Sequence, residues 1–214
     1  MPLIRNVLDK SELLVRTNPI YSGLSHEVEK VIDFGADMLM LPMAIDRKDA
    51  ELFVKYIGGR AKVNIMIESV QALARVDSIL DVDGVDEFFI GLNDLHLGLG
   101  LDFMFEVLSG GLVEYIAEKC NNRKVKFGFG GIARIGDGVL PADYILGEHY
   151  RLGSESVILS RTFKGNENDN YDLEAEVIKI RNREKEIIKW KESQYLENMK
   201  IVKEKVNLIL EKIN

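Results

Sequence analysis

Two carboxylates, Glu68 and Asp94, stand where an α/β chain most easily builds chemistry. Each follows a short apolar run. Residues 63–67 lead directly into Glu68, and residues 85–90 lead through Gly91-Leu92-Asn93 into Asp94. The runs are rich in Val, Ile or Phe and read as buried strands. Between them Val70, Leu73, Val76, Ile79 and Leu80 recur at helical spacing. Strand, helix and strand in that order predict a parallel pair. Both carboxylates then sit at the carboxyl ends of neighbouring strands, where such folds hold their ligands. Two carboxylates on one rim offer hard oxygen donors to a divalent cation. Taken singly, each reads more readily as a strand-end acid or a helix cap; the pairing is what points to a site.

The elements that must position this pair follow from the rest of the chain. A strand at 12–15 ends in Arg16, which by itself reads as a surface arginine. Ser25 is expected to cap a helix running to Phe34, with Gly35 after it. Residues 38–41 form a buried strand, and Asp46 or its neighbours start a helix through Tyr56. After Asp94, His96 and the stretch LGLGLDF are expected to form a glycine-containing loop, followed by a helix over 104–121 that Gly110-Gly111 interrupt. A strand at 124–129 runs into a glycine-rich loop, 130–138, beginning with Gly130 and Gly131. Backbone N–H groups there could face an anion, and the stretch reads equally as a tight connection. A helix at 141–151 carries Glu148, His149 and Arg151, and 156–159 is the last strand.

Strands alternating with helices at this interval mean an α/β fold with a parallel sheet. The units begin at Glu12, Asp37, Lys62, Val85, Lys124 and Ser156. Six units fall short of the eight of a TIM barrel, and an open doubly wound sheet is the alternative. The expected organisation is a partial (β/α) barrel over 1–165 and a helical extension over 166–214. The extension has neither Gly nor Pro. Leu173, Val177, Ile180, Ile187, Met199, Val202, Val206, Ile209 and Ile213 fall largely at three-four spacing among Lys and Glu, the mark of one or two long amphipathic helices. Part of that stripe, with Tyr195 and Trp190, is expected to pack on another subunit.

A chain of 214 residues supports one sizeable core. Its net charge of −7 argues against nucleic acid or an anionic membrane as the default partner. Cys120 is the lone cysteine, which excludes an intramolecular disulfide and a cysteine metal cluster. No apolar run approaches the ~20 residues of a membrane span. The first ten residues, MPLIRNVLDK, are too short and polar for a signal peptide, so a cytoplasmic location is expected.

Three motifs occur in order: Ile67-Glu68-Ser69, then Val82-Asp83-Gly84-Val85-Asp86, then Gly91-Leu92-Asn93-Asp94-Leu95-His96. Together they resemble the HpcH/HpaI aldolase/citrate lyase family, the metal-dependent pyruvate-type aldolases on a TIM barrel, over about residues 13–163. Pro42-Met43 is similar to that family's strand-end Val-Pro-Met. The resemblance implies Glu68 and Asp94 as ligands of Mg²⁺ or Mn²⁺. It implies Arg16 against the carbonyl oxygen of a 2-keto acid, a task that suits a permanently charged guanidinium fork. Backbone around Gly91, Leu92 and Asn93 would hold the substrate carboxylate. Arg16 matches the end of the family's third strand, so the first two βα units have no counterpart here. The family's general-base histidine comes from those units. His96, standing where the family has serine, is a candidate substrate contact, and His149 is a candidate substitute base; Leu92 replaces a proline. The implied activity is a class II carbon–carbon lyase or aldolase, assembled as a homo-oligomer through its C-terminal helices. Two other readings stay open: a non-catalytic binding module of the same fold, and a phosphate-handling barrel enzyme using Gly130, Gly131 and the loop that follows them.

Overall fold

The computed structural model describes residues 2–164 and 172–213. Six strands alternate with helices: β1 (Leu14–Arg16), β2 (Met38–Leu41), β3 (Lys62–Ile67), β4 (Glu87–Ile90), β5 (Lys126–Ile132) and β6 (Ser156–Leu159). They form one sheet in the order β1-β2-β3-β4-β5-β6, and every neighbouring pair is parallel. A doubly wound sheet reverses its strand order at a switch point and takes helices on both faces. Here the order never reverses, and right-handed crossovers then carry every connecting helix to the same side. The result is an incomplete, TIM-barrel-like arc of six strands. Strand starts are tied by a repeated device. Asp37, just before β2, accepts the Leu13 N–H at 2.7 Å, and Asp86, just before β4, accepts the Val63 N–H at 2.7 Å.

Side chains alternate across the sheet. Leu39, Leu41, Ile65, Ile67, Phe88, Ile90, Phe127 and Phe129 face outward into the main core beneath the helices. On the concave face Met40, Met66 and Phe89 form a small separate cluster. Asn64 lies on this face too, fully buried, with neither amide atom of its side chain partnered within the described residues.

The helical layer begins with α1 (Pro2–Arg5), α2 (Leu24–Asp33) and α3 (Arg47–Ile57). Asp46 caps α3 by accepting from Lys48 N and Asp49 N at 2.9 and 3.1 Å, as the sequence predicts. Ser25 does not cap α2. It lies inside the helix, and Gly23 occupies the cap position. The single helix expected over 70–80 is two short ones, α4 (Val70–Ala74) and α5 (Val76–Leu80), with Arg75 between them at φ −114°. The expected loop after Asp94 is instead a helix, α6 (Leu92–Leu99), closed by Gly100 in the left-handed region at φ 70°. Next come α7 (Glu106–Ser109), α8 (Leu112–Arg123) and α9 (Ala142–Leu152). Strand β5 runs on through Ile132, past a register irregularity between Gly128 and Gly131. Gly130 and Gly131 are therefore strand residues, and the connecting loop begins at Ala133.

The C-terminal helices α10 (Leu173–Ile187) and α11 (Glu192–Ile213) pack on the rest of the chain, α11 chiefly along α9. Ile180, Ile187, Val202 and Val206 join the same core as the barrel strands. Trp190 and Tyr195, expected at a subunit contact, meet each other at 5.5 Å, and the Tyr195 hydroxyl donates to Ile187 O at 2.8 Å. A buried polar clasp fixes the join. Asn198 donates to Tyr144 O at 3.0 Å and to Glu148 Oε1 at 2.9 Å, while Arg151 bridges Glu148 and Glu114 at 2.8 and 2.6 Å. Residue 147 is glycine because a Cβ there would lie 2.6 Å from the Asn198 side chain.

Candidate active site

Glu68 is the first residue past β3 and continues its concave-face alternation after Asn64 and Met66. Its backbone is held by the next residue. The Ser69 hydroxyl donates to Ala44 O at 2.8 Å and accepts the Ala72 N–H at 3.0 Å, capping α4. The Met43 N–H donates to Glu68 Oε1 at 2.8 Å. Met43 lies at φ 52°, a left-handed conformation uncommon outside glycine, and this turn of the chain aims its N–H at the carboxylate. The other oxygen, Oε2, is buried and accepts no hydrogen bond from a donor among the described residues.

Asp94 stands in the first turn of α6, directly after β4. Gly91, between strand and helix, packs on Glu68: a Cβ on Gly91 would lie 2.6 Å from both Cβ and Oε2 of that residue. Glycine is what lets the β4–α6 turn come down beside the β3 carboxylate. Gly130, at φ 55°, fits beneath Leu92 in the same way, where a Cβ would come 2.8 Å from Leu92 Cδ1. The end of β5 thus supports the first residue of α6.

Electrostatics tie three of the sequence-predicted residues together. Burial holds the Glu68 carboxyl above its ordinary range, the Met43 N–H draws it partly back, the Asp94 charge pushes it further up, and Arg16 pulls it down. The Glu68 carboxyl, at the end of β3, is therefore within electrostatic reach of Asp94 past the end of β4 and of Arg16 at the end of β1. A buried carboxylate oxygen without a donor, beside a second carboxylate, suits a hard divalent cation. No group of three or more His, Cys, Asp or Glu side chains placed to hold a metal occurs among the described residues. The protein thus offers two carboxylates, and water or substrate oxygens would supply the remaining ligands.

The histidines lie elsewhere. His96 follows Asp94 by two residues on α6, about 200° around the helix, which turns it away from the Asp94 side. His149 lies on α9, across the sheet from Glu68. It is buried, and its ring stacks on outward-facing Phe129 with centroids 3.7 Å apart and planes 5° from parallel. Burial drives its pKa down to about 3. The structure does not bring His149 to Glu68 and Asp94. Leu92 is buried and Asn93 exposed, both in the first turn of α6, where helix N–H groups lack intrahelical acceptors. Met43 and Ser69 support Glu68; sequence reasoning quoted both within motifs and gave neither a role at the site. Ser69 had a usable signal, a hydroxyl three residues before a helical N–H. Met43 acts through its backbone, which leaves no mark in residue type.

Residues 4–105 match the model of the HpcH/HpaI aldolase/citrate lyase family. The matched segment is just under half of the chain. It contains Arg16, Glu68, Gly91, Leu92, Asn93, Asp94 and His96 and ends before Gly130, Gly131 and His149. A hydroxypyruvate/pyruvate aldolase of Rhizorhabdus wittichii is 60% identical over 35 residues, 16% of this chain and 14% of that enzyme. The match thus spans only a small part of that relative. Solved structures show a likeness of fold. An HpcH/HpaI aldolase/citrate lyase family protein from Burkholderia cenocepacia superposes with TM-score 0.57 at 18% identity over 83% of this chain and 74% of its own. RipC from Yersinia pestis gives 0.58 at 16% identity over 71% and 72%. Citrate synthase SbnG gives 0.54 at 23% identity over 68% and 63%.

Proposed function

We propose that the chain is a carbon–carbon lyase or aldolase acting on a 2-keto acid, with a divalent cation, Mg²⁺ or Mn²⁺, held by Glu68 and Asp94. The observation that carries this reading is the buried, unpartnered Oε2 of Glu68 beside the Asp94 charge. Bound there, the cation would act as a Lewis acid toward the keto group. The chain's own residues do the rest. Glu68 is pre-set by the Met43 N–H, so it need not reorganise to present its free oxygen. Arg16 offers donors to the negative charge that develops on the keto oxygen as the enolate forms. The first-turn N–H groups of Leu92 and Asn93 offer the substrate carboxylate a helix N-terminus. The R. wittichii relative is named a hydroxypyruvate/pyruvate aldolase, which supports the keto-acid class.

A second reading, a binding module without turnover, draws on the placement of His149 across the sheet and of His96 away from Asp94. A metal and an arginine can bind a keto acid even where no base is at hand. In either reading the chain assembles with copies of itself through α10 and α11, whose Ile178, Leu196 and Leu208 remain exposed; a clean monomer in equilibrium sedimentation would remove that element.

Calorimetric titration of oxalate, an enolate mimic, with and without Mn²⁺ tests the site. Binding that needs Mn²⁺ and disappears in Asp94→Asn is the expected result. Oxalate affinity that ignores both the metal and the substitution would overturn the assignment. Turnover of pyruvate with aldehydes, assayed on the same protein, separates the lyase from the module.

A further inference from the structure

The Met43 N–H that holds Glu68 needs no side chain behind it. Glycine or asparagine enters the left-handed region, here φ 52°, more readily than methionine does. The chain nevertheless places a methionine there, and the fold leaves it 44% exposed. Two further apolar side chains stand exposed close by in the chain. Ile45, two residues after Met43, is 44% exposed, and Val70, two residues after Glu68, is 37% exposed. Exposed apolar side chains are ordinary when scattered singly. These three follow the carboxyl ends of two neighbouring strands, β2 and β3, and one of them donates its backbone N–H to the carboxylate proposed to hold the cation.

The segments that carry them are tied down. The Ile45 N–H donates to Asp49 Oδ2 at 2.9 Å, and Ile45 O accepts from Arg75 Nη1 at 3.1 Å. The Ser69 hydroxyl, on Ala44 O at 2.8 Å, joins the β2–α3 turn to the start of α4. Helix α6, which carries Asp94, packs on Val70: a Cβ on Gly98 would lie 3.0 Å from Val70 Cγ2. The apolar lip is thus built onto the same elements as Glu68 and Asp94. A keto acid with its carboxylate on the first turn of α6 and its keto oxygen toward Arg16 runs from the end of β4 toward the ends of β1 and β2. Its carbon chain beyond the keto group then approaches Met43 and Ile45.

We propose that Met43, Ile45 and Val70 are specificity-determining residues of the keto-acid site, and that the substrate carries an apolar tail, aliphatic or aromatic, beyond its third carbon. This rests on the keto-acid reading of Glu68, Asp94 and Arg16. Each methylene of such a tail leaves water on reaching the lip, whereas a charged tail would give up its hydration against apolar groups.

The test is calorimetry on the full chain with Mn²⁺, using pyruvate, 2-ketohexanoate and 2-ketoglutarate, with oxalate as the reference for the metal site. 2-Ketohexanoate is expected to bind at least about tenfold more tightly than pyruvate, the worth of roughly two buried methylenes, and more tightly than the doubly charged 2-ketoglutarate. Met43→Asn suits the left-handed turn, and Ile45→Ser keeps both backbone hydrogen bonds. Each should cut the ratio of 2-ketohexanoate to pyruvate affinity by at least about threefold. The ratio is taken within each variant, so a general weakening of the metal site cancels. Mn²⁺-dependent oxalate binding in a parent that holds 2-ketohexanoate no better than pyruvate or 2-ketoglutarate would overturn this proposal alone, and so would a ratio unmoved in Met43→Asn or in Ile45→Ser. Oxalate binding that ignores Mn²⁺ would overturn the reading of the site and this proposal with it.

Discussion

Gly91 and Glu68 are in such close contact that a single added carbon on the glycine would lie 2.6 Å from Oε2 of the carboxylate. The β4–α6 turn and the β3 strand end are therefore one unit, and Gly91→Ala must push Glu68 or the turn aside. Overpacking of this kind costs about 1–3 kcal/mol. The displaced atom is the unpartnered oxygen proposed to meet the cation. Gly91→Ala is expected to weaken Mn²⁺-dependent oxalate binding by more than about tenfold, equivalent to roughly 1.4 kcal/mol, as measured by calorimetry. Binding at the parental affinity would show that Glu68 is not in the site.

The raised pKa of Glu68 makes a signed prediction. A carboxyl whose folded pKa lies above its unfolded one binds more protons in the folded chain between the two values. Stability then falls as pH rises through that window, which opens near the ordinary glutamate value and extends upward. Glu68→Gln keeps an oxygen for the Met43 N–H and removes the buried charge. Without metal it should unfold at higher urea concentration than the parent at pH 7, and the difference should vanish at pH 4. Added Mn²⁺ should stabilise the parent and leave Glu68→Gln unmoved. A parent that is more stable than the variant at neutral pH without metal would contradict the burial argument.

Much of this arrangement is legible in the residues. Met38–Leu41 and Ser156–Leu159 come out at their true bounds because each is a short apolar run closed by turn residues. The order of Arg16, Glu68 and Asp94 along parallel strand ends also follows from strand and helix period alone. Other features are not legible, for physical reasons. The glycines at 98 and 100 suggest a loop, whereas Gly100 is the left-handed cap of a helix that tolerates Gly98 inside it. Met43 works through a backbone N–H, and a backbone donor is common to nearly every residue type. His149 sits on a helix whose period shows which face is buried. It does not show that the sheet stands between that face and the carboxylates.

His149 carries a different pH signature. Its folded pKa, lowered to about 3 from an ordinary 6.5, means that the unfolded chain takes up a proton that the folded chain refuses as pH drops between these values. The folded state then loses stability on acidification, with a contribution of at most about 1.4 kcal/mol per pH unit from one group. His149→Phe keeps a flat ring on Phe129 and removes the titration. Urea unfolding from pH 7 to pH 4 should show a shallower acid loss in the variant, and parallel curves would mean that the imidazole finds a way to protonate in place.

Gly147 and Asn198 test how the C-terminal helices are attached. The Asn198 side chain occupies the space a Cβ on residue 147 would need, and its amide answers the buried Glu148 carboxylate and the Tyr144 carbonyl. Gly147→Ala alone should destabilise the chain by about 1–3 kcal/mol through that clash, set against the smaller gain alanine brings inside a helix. Asn198→Ala alone should also destabilise, since it takes a donor from a buried acid. Combined, the second alanine frees the room the first one needs, so the double variant should be more stable than the two losses summed, by about 1 kcal/mol or more. A urea-unfolding cycle reads this coupling directly. Strict additivity would mean that α11 does not seat on Gly147 in solution, and the clasp between α9 and α11 would have to be redrawn.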